Sequence, residues 1–401
     1  MRAVFINHCH PEMPHVCGIR LGRFAEAMAA RGHEIVLLVE AYPRDADCPT
    51  PERVAAELAV HDWSAPYILP CRPKGHLAAR RARAGKGGAL RRYATILKSF
   101  VADNGMFADW QDGAAANADV LAHAFKPDVI WATFGNTDNW AIAQHLAKRC
   151  GAPWVADFKD NWGAFIPDGL KLLMARRFRD AAHMTVLSET HCDEAERWFG
   201  GVKSVLYSGV ESVPAPPAAA SAGLKITLAG SIYDENRLGR LVWGLRDWLV
   251  AAARGNVAFT YAGNDTKTVE RVSAPLEDFC ERHFPGYLSL SELTTLQMQA
   301  SVNIYVHNER CLFHHKALEL IAAGQPILSF PDETPETRRL AGEAGAALFI
   351  CADREQIADA MDVVAAGNLP PADATARAEY SWTARAKVLE SVLTQVIGGP
   401  A

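Results

Sequence analysis

The sequence predicts an α/β fold built from two doubly wound lobes. Three observations lead there. Short apolar runs alternate with amphipathic helical stretches along most of the 401 residues, the pattern of parallel strands with crossover helices. A stretch rich in Pro, Ala and Ser at 212–223, SVPAPPAAASAG, interrupts that alternation, which then restarts. The length also suits two domains of about 100–200 residues each.

The elements follow in order. Residues 2–8, RAVFINH, read as the first strand, and a loop with Pro11, Pro14 and Gly18 leads into a helix from about Ile19 to Ala30. Gly32 stands where a left-handed residue closes a helix, and 34–40, EIVLLVE, form the second strand. Residues 43–70 read as loop with one short helix. A helix over about 110–125, strand 129–133, helix 138–150, strand 153–158, helix 168–181, strand 184–188, helix 189–199 and strand 204–209 complete the first lobe. The second lobe reads as strand 224–230, helix 237–253, strand 257–263, helix 267–282, a short segment near 287–290 and helix 291–300. Strand 302–307, helix 314–323, strand 326–330, helix 335–344 and strand 347–351 follow, with helices 354–366 and 380–397 at the end. Ligands of such sheets bind outside the carboxyl ends of the strands, so two facing lobes would enclose a cleft.

Composition narrows the function. The formal net charge of -5 argues against a general nucleic-acid binder, whose affinity rests on neutralising phosphates. Nine cysteines without a C-x-x-C pair suit a reduced compartment rather than a disulfide framework. The opening reads as a core strand, not a signal peptide, and no run reaches the roughly 18–20 apolar residues of a membrane span. A cytoplasmic protein is expected. Residues 71–98 carry Arg72, Lys74, Arg80, Arg81, Arg83, Lys86, Arg91, Arg92 and Lys98 with no acidic residue. That run reads either as a solvated surface or as attraction to an anionic membrane surface or glycan. No metal-ligand spacing stands out: His8 and His10 lack partners in spacing, and adjacent His314 and His315 do not share a helix face.

The most informative segment is 314–328, HHKALELIAAGQPIL. Lys316 and Glu319 stand at i, i+3 on a short helix that Gly324 ends. An ammonium there can neutralise a diphosphate, a carboxylate can accept from ribose hydroxyls, and the helix N-terminus favours phosphate. By spacing alone the pair equally describes a solvated surface ion pair. In the first lobe, Asp138, Asp157 and Asp160 lie at carboxyl ends of predicted strands, where a general base for an acceptor hydroxyl would be needed. Helix capping and strand-end packing explain them as well.

The segment K-A-L-E-L-I-A-A-G-Q-P-I-L resembles the donor-site segment of the GT-B glycosyltransferases, in particular the retaining family 4 group. The resemblance runs over nearly the whole chain: R-G-H-E (31–34), K-P-D-V-I (126–130), D-F-K-D-N-W (157–162), L-Y-S-G-V-E (206–211), L-A-G-S-I-Y (228–233), Y-A-G-N (261–264) and Y-S-W-T-A-R-A (380–386) fall in the family's order. It implies a GT-B fold with an acceptor-side lobe over 1–211, a linker over 212–223, a nucleotide-sugar lobe over 224–378 and a terminal helix, 379–401, crossing back to the first lobe. It implies that Gly230, Ser231 and Arg237 meet the donor diphosphate, that Gly263 borders base or sugar, and that Lys316 and Glu319 complete the donor site; His314 or His315, just before Lys316, could replace a sugar contact there, or be structural.

It further implies transfer from a UDP- or GDP-linked sugar to a glycan or lipid-linked acceptor, with retention, in surface polysaccharide synthesis and with no cofactor. In retaining members the donor phosphate itself can take the acceptor proton, so positioning and electrostatics carry catalysis. One departure stands out. Cys311 occupies the place of a glutamate that relatives direct at the donor sugar, and Glu309 is out of register. A nucleotide-sugar epimerase of the same fold, or a catalytically silent nucleotide-sugar-binding subunit, are the alternatives.

Overall fold

The computed structural model describes residues 1–13, 15–43, 46–73, 88–211, 223–252, 255–370 and 372–399. Most of the linker stretch 212–223 and residues 74–87 of the basic run lie outside the described residues. Two units are distinguished: Met1–Gly209 with Trp382–Ala401, and Val210–Ser381.

In the first unit, runs such as VFI and VIWAT are apolar on both faces, which suits strands covered by helices on both sides. Strands β1 (Arg2–Ile6), β2 (Glu34–Glu40), β3 (Tyr67–Cys71), β4 (Val129–Thr133), β5 (Trp154–Phe158), β6 (His183–Val186) and β7 (Lys203–Val205) form one parallel sheet in the order β3-β2-β1-β4-β5-β6-β7. The order reverses between β1 and β4, so the loops after these strands diverge and leave a crevice at their carboxyl ends. The helix Val16–Ala29 covers one face with Leu21, Phe24 and Met28. The helix Trp382–Ile397 adds Ala386, Leu389 and Leu393 to that cluster, with the Trp382 ring edge-on to Phe24 at 5.3 Å. Glu390 of the same helix accepts from Arg31 and His33. The opposite face holds an aromatic core in which Trp162 stacks on Trp140 at 5.7 Å and meets Phe199 at 4.9 Å. Burying each such side chain contributes roughly 1.5–3 kcal/mol.

The second unit repeats the plan. Strands β8 (Leu224–Ala229), β9 (Val257–Ala262), β10 (Glu281–Gly286), β11 (Val302–Val306), β12 (Ile327–Phe330) and β13 (Leu348–Ile350) form a parallel sheet ordered β10-β9-β8-β11-β12-β13. Its reversal falls between β8 and β11. The helices Glu235–Ala252 and Arg354–Ala366 pack Leu238, Leu241, Leu245, Ile357 and Met361 into its core.

Two strands differ from the sequence reading. β3 falls in the stretch read as loop, and β10 takes the end of the stretch read as helix 267–282. There the chain forms the helix Thr266–Val272 and a 3₁₀ turn at Ala274–Leu276 before β10. Both are edge strands containing proline, Pro70 and Pro285, which an edge tolerates because one row of N–H groups needs no partner. β10 alternates between exposed and half-buried, so it lacks the apolar run that marks the inner strands.

Candidate functional site

In the second unit the site residues gather at the carboxyl ends of β8, β9 and β11. The backbone turns sharply at Gly230, with φ of +84°, and a Cβ there would stand 2.8 Å from Lys316 Nζ. Glycine is therefore required twice, for its left-handed backbone and for the approach of the ammonium. Lys316 sits in the first turn of the helix His315–Ala323, which Gly324 closes with φ of +78°. Burial lowers the Lys316 pKa from its ordinary value to about 8, against the pull of the Glu319 and Asp265 carboxylates. A poorly hydrated ammonium beside an exposed backbone turn is prepared for an anion.

The turn is pinned from below. Tyr261 Oη donates to the Gly230 carbonyl at 2.9 Å and accepts from the Asp265 N–H at 3.0 Å, while an Asp265 carboxylate oxygen accepts from the Ile232 N–H at 2.8 Å. Gly263 has no room for a side chain: a Cβ would meet Tyr261 Oη at 2.4 Å and the Gly230 carbonyl at 2.9 Å. Its place is to let the ends of β8 and β9 close together. Ser231 follows the turn with its side chain exposed. Replacing Gly230 by alanine is expected to cost about 1–2 kcal/mol in backbone strain and to displace Lys316. A urea midpoint that falls together with nucleotide affinity would show both effects.

Arg237, in the first turns of the helix Glu235–Ala252, is already held. It donates to Glu309 at 2.6 Å and to the His307 carbonyl at 3.2 Å. Glu309, out of register by sequence, thus closes the same ring of charge. Cys311 Sγ lies 3.2 Å from the Phe313 carbonyl, so its thiol faces the loop backbone. His315 Nε2 stands 3.5 Å from Glu319. His314 opens the helix, its Nε2 accepting from the Asn308 N–H at 3.0 Å, and burial lowers its pKa to about 4. His307 was not singled out by sequence. It is buried at the end of β11, edge-on to His314 at 5.4 Å, with neither ring nitrogen hydrogen-bonded among the described residues. The signal was only a histidine ending an apolar strand, and that is usually structural.

In the first unit the three candidate carboxylates separate by role. Asp157 is fully buried at the end of β5. Arg20 grips it with two parallel hydrogen bonds, Nε to Oδ2 at 3.1 Å and Nη2 to Oδ1 at 2.9 Å, and Thr185 donates a third at 2.8 Å. Arg20 also donates to Ser208 and to the Leu206 carbonyl, and its guanidinium lies over the Phe24 ring. A carboxylate so saturated cannot take a proton from an acceptor; its task is to tie β5 to the helix Val16–Ala29. Asp138 is likewise buried and accepts from the Phe107 N–H at 3.1 Å and from Gln111. It anchors the 104–111 segment to the helix Thr137–Cys150. These bonds give both carboxylates a structural role. Asp160 differs. Its carboxylate is partly exposed and pairs with Lys159 at 2.8 Å. Burial raises its pKa, opposed by the Lys159 ammonium.

One grouping of ligand-type side chains has no counterpart in sequence spacing. Cys9, His15 and Cys17 bring a ligand atom each within 4.8 Å of one another, beside Lys159 and Asp160.

Of the basic run 71–98, Arg72 donates to the Ala46 carbonyl at 2.8 Å and Lys98 is exposed on the helix Ala89–Asp103. Arg91 and Arg92 fall on the same helix, and the remaining charges lie outside the described residues. No helix among the described residues is long and apolar enough to cross a membrane.

Comparison with known proteins agrees with this architecture. Residues 17–206 match the family model of the glycosyl transferase 4-like domain. No curated protein matches the sequence. Among solved structures, HepE of Anabaena in complex with UDP and glucose superposes with a TM-score of 0.61 at 12% identity, covering 98% of this chain and 100% of that one. Sucrose-phosphate synthase of Thermosynechococcus elongatus gives 0.62 at 14% identity, covering 100% of both. A protein assigned as a UDP-N-acetylglucosamine 2-epimerase from Listeria monocytogenes gives 0.55 at 10%, covering 100% and 97%. The chain is therefore a GT-B protein that resembles the family 4 glycosyltransferases, and its residues 17–206 carry their 4-like domain.

Proposed function

We propose that this chain is a glycosyltransferase that binds a nucleotide-sugar diphosphate at Gly230, Ser231, Arg237 and Lys316 and the donor's hydroxyls at Glu319. The observation that carries the reading is the Lys316 ammonium set against the left-handed turn at Gly230, at the first turn of a helix and the reversal point of a parallel sheet. The HepE neighbour was crystallised with UDP and glucose, which supports a uridine donor as the first probe. The departing diphosphate gathers negative charge as the glycosidic bond breaks. A cation already desolvated next to it stabilises that charge more than one in water. Arg237 adds a second cation once its bond to Glu309 is exchanged for phosphate.

The resemblance assigns the acceptor to the first unit. There Asp160, partly exposed beside Lys159, replaces Asp157 and Asp138 as the carboxylate that can orient an acceptor hydroxyl. Retention, a glycan or lipid-linked acceptor and a role in surface polysaccharide complete the proposal. Incubation with labelled UDP- and GDP-sugars and membrane lipid tests it: transfer of label supports it, and the anomeric configuration of the product tests retention. The epimerase-like neighbour favours a second reading, which predicts solvent deuterium at the sugar without any acceptor.

A pH dependence follows. With the Lys316 pKa lowered to about 8, the ammonium is present below that value and is lost as pH rises through it. Nucleotide affinity is expected to be flat below pH 8 and to fall by up to about tenfold per pH unit above it. Calorimetric titration across this range checks it.

A further inference from the structure

Outside the donor site, a cluster of ligand-type side chains among the described residues lies at the carboxyl end of β1. Cys9 follows that strand by three residues, His15 caps the helix Val16–Ala29 and Cys17 stands in its first turn. Cys9 and Cys17 are buried, at 2% and 3% exposure, while His15 is open to solvent. Cys9 Sγ stands 3.4 Å from His15 Nδ1, and the three ligand atoms lie within 4.8 Å of one another. An S and an N ligand on one tetrahedral zinc stand about 3.5 Å apart, given its bond lengths near 2.3 and 2.0 Å. The cluster is therefore already close to the size of a shared coordination sphere.

A fourth donor is at hand. His8 Nε2 lies 3.3 Å from Cys9 Sγ, and His8 Nδ1 is buried with no hydrogen-bond partner among the described residues. The loop that carries these residues is held against the helix. A Cβ on Gly18 would strike the His10 carbonyl at 2.4 Å, and one on Gly22 would touch Pro11 at 3.1 Å. The ligands are thus positioned by packing and not only by their own mutual bonds.

We propose that Cys9, His15 and Cys17 form a binding site for a thiolate-preferring divalent metal of the zinc class, with His8, which adjoins Cys9, or a water as the fourth ligand. Two sulfur ligands with imidazole select zinc over magnesium or calcium, which take oxygen. Two thiolates balance the charge of a divalent cation, and the neighbouring Lys159–Asp160 pair is neutral in sum. Each coordinating thiol releases its proton to solvent as the metal binds. The Nδ1 of His15 now accepts from the Cys17 N–H at 3.2 Å, so coordination through that atom exchanges the cap for a metal bond. The metal would fasten the loop between β1 and its helix. It would also stand beside Asp160, without entering sugar transfer.

The test uses the full chain, kept reduced, stripped with a chelator and reloaded with zinc or cobalt(II). The expected result is about one tightly held metal per chain, with cobalt giving thiolate charge-transfer and tetrahedral ligand-field bands. The bands should be lost in Cys17→Ser and weakened in His15→Ala, an exposed ligand whose removal spares the core, and kept in the remote control Cys192→Ser. Zinc should raise the melting temperature of the wild type but not of Cys17→Ser. Wild-type protein that retains no metal and shows no cobalt–thiolate bands overturns the proposal. So do bands that survive in Cys17→Ser, or a Cys9–Cys17 disulfide that accounts for both thiols in protein kept reduced.

Discussion

An Asp157→Ala variant is expected to lose about 3–5 kcal/mol of stability, whereas Asp160→Asn is expected to lose less stability and to lose activity. The two residues are neighbours in sequence and differ in surroundings. Removing the Asp157 carboxylate leaves the Arg20 guanidinium buried at 2% side-chain exposure without its counter-charge, and also strips Thr185 of an acceptor. Breaking one partner of a buried pair costs more than the pair contributes, because the remaining charge is left desolvated. An Arg20→Met partner variant should recover part of the loss in combination with Asp157→Leu, since a matched apolar pair carries no orphaned charge. Urea midpoints for the single and double variants check this. Asp160, by contrast, reaches solvent, but its partner Lys159 is buried at 7% side-chain exposure, so Asp160→Asn should lower the midpoint by less than Asp157→Ala while still leaving a desolvated ammonium behind.

Lys316→Met is expected to have opposite effects on stability and on binding. In the folded protein the Lys316 pKa lies near 8, below the ordinary 10.5. The folded state therefore holds that proton less tightly than the unfolded chain, and below pH 8 the ammonium costs the fold on the order of 1–3 kcal/mol. The penalty fades as pH rises from about 8 to 10.5. Methionine keeps the volume without the charge, so the apo variant should melt no lower than the wild type at pH 7, and higher if the pocket packs. Nucleotide binding should fall by about 10- to 100-fold, the worth of one charge-assisted hydrogen bond of about 1.5–3 kcal/mol. A site kept for function at the expense of stability gives this pattern; a surface ion pair gives neither effect.

What the sequence made legible follows from the range of each interaction. The inner strands were readable residue by residue, because burial on both faces demands a continuous apolar run: 34–40 and 129–133 coincide with β2 and β4. The edge strands β3 and β10 were not, because one open side admits proline and polar residues. Strand order was not readable either, since pairing joins segments far apart; Ala3 pairs with Val129. At the site, Lys316, Glu319 and Gly324 were legible as one local helix with its cap. Glu309 was not, because its meaning lies in Arg237, 72 residues away.

The strand end that carries Asp157 is legible in the sequence, but its buried ion pair is not. Its partner is 137 residues distant. A clue existed: Arg20 falls on the stripe of Cys17, Leu21, Phe24 and Met28 that the helix buries, where an arginine needs a counter-charge. The Cys9, His15 and Cys17 cluster follows no familiar ligand spacing, since a strand end, a loop and a helix start fold it together.

The central claim is that the turn at Gly230 and the ammonium of Lys316 hold a nucleotide diphosphate. Thermal melting of the wild type, Lys316→Met and Glu319→Gln with UDP, UDP-glucose and GDP-mannose tests it most directly, because a ligand bound only by the folded state raises the melting temperature. A shift in the wild type with a uridine or guanosine ligand, strongly reduced by Lys316→Met and reduced by Glu319→Gln at undiminished apo stability, is the predicted result. Full retention of that shift by both variants would contradict the donor-site assignment.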